Sequence, residues 1–169
     1  MKLFGVTGWK NSGKTGLMER LVAEITARGF RVSTVKHAHH TFDVDQLGKD
    51  SHRHREAGAE QVMLVSRRRW ALMTELRDNA EPPLADVLAG LAPVDLVLVE
   101  GYKRDRHPKI EAHRQETEQP LIAVADETIR AIASDVPDQM AARMPDRPVF
   151  DLNDTAAIAD FVLKDTGLA

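Results

Sequence analysis

The stretch VTGWKNSGKTGL, residues 6–17, restricts what this chain can fold into more than any other segment. Gly8 and Gly13 bracket four residues, Lys14 and Thr15 follow, and the apolar run KLFGVT (2–7) leads in. A strand that turns straight into a helix through such a loop is built to hold phosphate. Glycine permits the tight turn and lets backbone N–H groups approach an anion without an obstructing Cβ. On this reading Gly8, Asn11, Ser12, Gly13, Lys14, Thr15 and Gly16 surround a nucleotide's phosphates. Lys14 neutralises the β- and γ-phosphates, Thr15 offers its hydroxyl to Mg²⁺, and the positive end of the helix dipole adds to both.

The rest of the chain alternates between strand and helix signals. Leu17, Met18, Leu21, Val22 and Ile25 recur at helical spacing, with Gly29 as a natural stop. FRVSTVK (30–36) is rich in β-branched residues and predicts a second strand. A polar, irregular segment over 37–49 precedes a short polar helix near 50–57. EQVMLVS (60–66) and WALMTE (70–75) predict strands around the turn RRR, with Met63 and Met73 expected in the core. Leu84, Val87, Leu88 and Leu91 mark a helix after Pro82 and Pro83. VDLVLVEG (94–101) is a continuous apolar run, as a central parallel strand requires. KIEAHR, LIAVAD and IRAIASD predict further short strands, and a last helix opens at Asn153 or Asp154 and buries Ile158, Phe161 and Val162. The expectation is one α/β nucleotide-binding domain over 1–169 with a mostly parallel sheet.

Composition narrows the function classes. A net charge of −3 and a pI near 6.2 argue against a general nucleic-acid binder. The absence of cysteine excludes disulfides, thiolate metal sites and a Cys nucleophile. No apolar run approaches membrane-spanning length, and the N-terminus enters the glycine loop without a signal-peptide core, so a cytoplasmic protein with no membrane partner is expected.

Two further segments carry chemistry. Glu100 ends the run DLVLVE at the carboxyl edge expected of the sheet, where ligands of open α/β folds gather. A carboxylate there can support Mg²⁺ or position a water; Asp95, at the other end, reads as solvated. The stretch 35–59 holds Asp43, Asp45 and Asp50 after the second strand, with Lys36, His37, Lys49 and Arg53 as positive charges suited to an anion. His37, His39 and His40 raise a transition-metal reading, but with no cysteine to assist them a solvent-facing or phosphate-facing loop is the expected state.

GWKNSGKT, VKHAHHTFDVDQLGKDSHRHREAGA, RWALMTE, LVEGYK, PKIE, IASDVP and FDLNDTAAIADFV together resemble the molybdopterin-guanine dinucleotide biosynthesis protein B family, from Leu3 to about Leu163. The resemblance implies a P-loop NTPase-type three-layer fold and a GTP-binding accessory protein with weak GTPase activity, homodimeric in that family. Such a protein assists the guanylyltransferase of molybdenum cofactor biosynthesis, with molybdopterin itself a further candidate ligand. Carried over by position, residues 8–15 bind phosphates, and Glu100 with Asp45 or Asp50 serves the metal and the water. Of two aspartates that follow apolar strand candidates, Asp126 and Asp135, the resemblance points to Asp135 as the group that reads guanine. A metal-delivery GTPase and a small-molecule kinase are the alternatives, and no Arg-rich helical lid of the kinase kind is evident in the sequence.

Overall fold

The computed structural model describes residues 1–38 and 42–169, so His39 and His40 lie outside the described residues. The chain divides into two compact units: 1–37 with 88–169, and 38–87.

The first unit is built on a six-stranded sheet in the order β2-β5-β1-β6-β7-β8, with every neighbouring pair parallel. The strands are β1 (Lys2–Thr7), β2 (Val32–Lys36), β5 (Leu96–Glu100), β6 (Lys109–His113), β7 (Ile129–Ser134) and β8 (Val149–Asp151). Parallel pairing sends all their carboxyl ends to one edge. The helices α1 (Lys14–Ala27) and α5 (Thr155–Thr166) cover one face. There Phe4, Val6, Leu98, Ile110 and Ala112 pack against Leu17, Leu21, Ile25, Ile158 and Val162. Asp154 starts α5 by accepting a hydrogen bond from the Ala157 N–H, 3.0 Å, as an N-cap should. The opposite face carries a smaller cluster of Leu121, Ala123, Ile129, Ile132 and Met140, the last from α4 (Pro137–Arg143). These are the three layers of an α/β fold with a parallel sheet.

LIAVAD does not form the expected strand. Ile122–Val124 is a turn of 3₁₀ helix, because Glu111 on β6 reaches up and accepts the Ile122 and Ala123 N–H groups at 2.9 and 2.8 Å. Asp95 is not merely solvated either: its Oδ2 accepts the Arg31 N–H at 2.7 Å, and that bond holds its carboxyl below the usual range. The helix α4 and the strand β8 carry weak periodicity and were not expected from the sequence.

No helix crosses over between β5 and β6. Residues 101–108 run across the sheet instead, and the Pro108 carbonyl accepts the Gly5 N–H at 2.8 Å. His107 packs on Gly5 so closely that a Cβ there would lie 2.5 Å from Nε2. On β6, Lys109, Glu111 and His113 alternate along this same face and are all buried. Lys109 Nζ is satisfied by the Asp105 carbonyl and by Thr128 Oγ1, with Asp126 Oδ2 at 3.7 Å. Burial pushes the Glu111 carboxyl up, opposed by its two backbone donors.

The second unit holds α2 (Asp50–Glu56) and an antiparallel hairpin of β3 (Gln61–Val65) and β4 (Trp70–Thr74), and it ends within α3 (Leu84–Ala89). Arg55 organises it, bonding Glu75 at 2.7 Å, Asp43 at 2.6 Å and both oxygens of Asp45, the nearer at 2.6 Å. Met63 is exposed, against expectation, because a two-stranded hairpin has no second layer within the unit to bury both of its faces. Among the described residues no helix is long and apolar enough to cross a membrane.

His107 generates a pH dependence. Both its ring nitrogens are buried without a partner among the described residues. Burial, with Lys109 nearby, holds its pKa down to about 4 from 6.5. The unfolded chain therefore takes up the proton first. The stabilisation from keeping this imidazole neutral is complete above about pH 6.5 and is lost as pH falls toward 4, of the order of 3 kcal/mol in all. Melting curves from pH 7 to 4.5 should show a smaller loss of stability in His107→Leu than in the wild type. Equal losses would mean that His107 does not drive the change.

Candidate functional site

The carboxyl edge of the first unit gathers the predicted residues. β1 ends at Thr7 and the chain turns at Gly8, where a Cβ would lie 2.4 Å from the Ala112 carbonyl oxygen and 2.5 Å from Ser12 Oγ. Only glycine lets the loop sit this deeply against β6. Asn11 (φ 64°) and Gly13 (φ 91°) are left-handed, and such reversals of backbone hand aim successive N–H groups into one concavity. Gly13 begins α1 with no side-chain cap and no acidic residue in the first turn. The first N–H groups of α1 thus face the loop, and their partial positive charge favours an anion.

Lys14 Nζ donates to the Trp9 carbonyl at 2.5 Å, which holds the ammonium over the loop. Burial lowers its pKa; Glu100 opposes that shift, and Lys103 and Lys36 add to it. Ser12 Oγ and Thr7 Oγ1 are buried without partners among the described residues. Unpaired buried hydroxyls are costly, and beside a ring of N–H groups they suit oxygens brought by a ligand. Lys103, from the residues after β5, stands 4.4 Å over the Trp9 ring.

Glu100 ends β5 as expected and turns back to the loop. Its Oε1 lies 3.5 Å from Thr15 Oγ1 and 3.4 Å from Lys36 Nζ, and its side chain is 12% exposed. A hydroxyl and a carboxylate converging in this way are hard oxygen donors, which fit Mg²⁺. The two elements inferred separately from sequence thus meet in space. Among the described residues no group of three or more His, Asp or Glu side chains is arranged to hold a metal, and His37 stacks near Tyr102 with ring centres 4.6 Å apart.

The other predicted carboxylates separate clearly. Asp135 directly follows β7 at the carboxyl edge and is exposed; its Oδ1 accepts the Gln115 N–H at 3.0 Å. Asp126 precedes β7, at the opposite edge, where it accepts from Thr128 and lies near Lys109. Asp45 and Asp50 belong to the second unit. Asp45 is engaged by Arg55, whose hydrogen bonds hold its carboxyl below the usual range, whereas Asp50 is exposed in the first turn of α2.

One basic residue at this edge was not foreseen. Arg114 leaves the end of β6 and joins Asn11, Gly13, Lys14, Thr15 and Gly16 around a cavity of about 310 Å³. Its signal in the sequence is alternation, since two residues past Ala112 it falls on the face of β6 that packs against α1.

A family profile described as molybdopterin guanine dinucleotide synthesis protein B matches residues 3–135. A molybdopterin-guanine dinucleotide biosynthesis adapter protein of Haemophilus influenzae is 45% identical over 163 residues, covering 95% of this chain and 86% of that protein. The adapter protein of the same name from Escherichia coli is 39% identical over 165 residues, covering 96% and 91%. Among solved structures, a MobB protein homolog from Bacillus stearothermophilus superposes with a TM-score of 0.71 at 31% identity, covering 100% of both chains. Bacillus subtilis MobB superposes at 0.75 and 23% identity over 98% of each chain, a likeness of fold.

Proposed function

Because this chain belongs to the molybdopterin guanine dinucleotide synthesis protein B family, we propose that it is a GTP-binding adapter in the biosynthesis of that dinucleotide, assisting a guanylyltransferase. The observation that carries the reading is the convergence of Thr15 and Glu100, 3.5 Å apart, at the mouth of the glycine loop. Residues 8–16 hold the phosphates through backbone N–H groups, Lys14 supplies the fixed cation, and Ser12 finds an acceptor. Thr15 and Glu100 would hold Mg²⁺, which when bound neutralises charge on the phosphate oxygens. Glu100 is assigned to positioning a water for slow GTP hydrolysis.

Asp135 is assigned to the base. A carboxylate accepts two hydrogen bonds from the guanine N1–H and 2-amine, and adenine offers no such pair. Its place at the carboxyl edge, beside the loop that follows β6, supports it over Asp126. The exposure of Met63, Leu64, Val65, Trp70 and Leu72 on a hairpin with unpaired edges supports a homodimer in which a second copy covers them. A cytoplasmic setting and molybdopterin as a further ligand complete the reading.

Competition binding should place GTP well ahead of ATP in the wild type, and Asp135→Asn should shift preference toward xanthosine triphosphate, whose extra carbonyl suits an amide donor. Equal binding of ATP and GTP would overturn the guanine reading. Added to a molybdenum cofactor guanylyltransferase with GTP, the wild type should raise dinucleotide formation; no effect, together with no association in a pull-down, would remove the adapter role.

A further inference from the structure

Gly13 is shielded on one side by a side chain from another strand. A Cβ at this position would lie 3.1 Å from Arg114 Nε, 3.8 Å from Nη2 and 3.0 Å from Leu152 Cδ2. The guanidinium therefore lies directly on the Gly13 backbone, one residue before Lys14 and the open N–H groups of α1. Its Nε is buried and has no hydrogen-bond partner among the described residues. Its ion pair with Glu116 is a long one: Nη1 stands 3.7 Å from Oε1, and that carboxylate is 69% exposed. Such a pair does little to satisfy a guanidinium. Of the residues around the adjoining cavity, Arg114 alone comes from outside the glycine loop and the start of α1.

We propose that Arg114 is a phosphate ligand of the nucleotide, closing the loop from the β6 side with a permanent charge; this rests on the nucleotide reading above. Lys14 brings a single ammonium, already held to the Trp9 carbonyl. A guanidinium stays protonated at any relevant pH and presents several donors in a rigid fork that matches phosphate oxygens. Gly13 suits this contact: its φ of 91° favours glycine, and a Cβ would crowd the guanidinium at 3.1 Å.

Arg114→Gln and Arg114→Lys test this by titration with GTP and by competition with inorganic tripolyphosphate, which carries the phosphates without a base. Loss of a charge-assisted contact should weaken both ligands by about 10- to 100-fold in Arg114→Gln. Arg114→Lys should recover part of the loss, and the salt dependence of binding should be shallower in the glutamine variant. The melting temperature of each variant without ligand separates this from a packing defect. GTP binding by a folded Arg114→Gln at wild-type affinity overturns the assignment. So does weakened GTP binding with unchanged tripolyphosphate binding, which would place Arg114 on the base. A wild type that binds tripolyphosphate and loses it in Arg114→Gln, yet does not prefer GTP over ATP, overturns the guanine reading and upholds Arg114.

Discussion

The contact between Gly8 and the Ala112 carbonyl is the constraint on which the site depends. With 2.4 Å between that oxygen and any Cβ, the chain can enter the loop at this depth only through glycine. Depth matters because β1 lies between β5 and β6, so a loop seated here meets Glu100 on one side and Arg114 on the other. Shifting the loop outward would separate the Thr15 hydroxyl from Glu100 and lift Gly13 off Arg114. The parallel sheet supplies the rest, since it brings the strand ends that carry Glu100, Arg114 and Asp135 to the same edge.

Behind this edge the sheet is not a uniformly apolar wall. Lys109, Glu111 and His113 line one face of β6, and the first two pin irregular segments. Lys109 fixes the turn at Asp105 and Thr128, Glu111 fixes the 3₁₀ turn at Ile122, and His113 Nδ1 meets Ser134 Oγ at 2.9 Å. Trp9 Nε1 donates to the Pro120 carbonyl at 2.7 Å, so the glycine loop is tied to the same segment that Glu111 holds. Buried polar groups with their hydrogen bonds satisfied in this way fix the position of what they hold. Here they replace the helix that would ordinarily cover a parallel crossover.

The sequence makes legible those features that have a strong period or a demanding local geometry. β1, α1, β5 and α5 follow from apolar runs and helical spacing, and the glycine loop follows from its backbone requirements. Glu100 is legible because a carboxylate at the end of a fully buried strand needs a reason. LIAVA forms a 3₁₀ turn rather than the expected strand: five apolar residues suit either, and the deciding group, Glu111, is eleven residues from Ile122. α4 and β8 are short and weakly patterned. Arg114 escaped notice because its importance lies in a contact with Gly13, about 100 residues earlier in the chain, which no local pattern encodes. Asp126 and Asp135 both follow short apolar runs, and no local pattern tells which end of β7 each occupies.

Calorimetric titration of GTP in the presence of Mg²⁺, on the wild type and on Lys14→Ala, addresses the central claim most directly. The account predicts binding by the wild type and loss of most of that affinity in a folded Lys14→Ala, because the triphosphate loses the cation held over the loop by the Trp9 carbonyl. Unchanged GTP affinity in Lys14→Ala would contradict it.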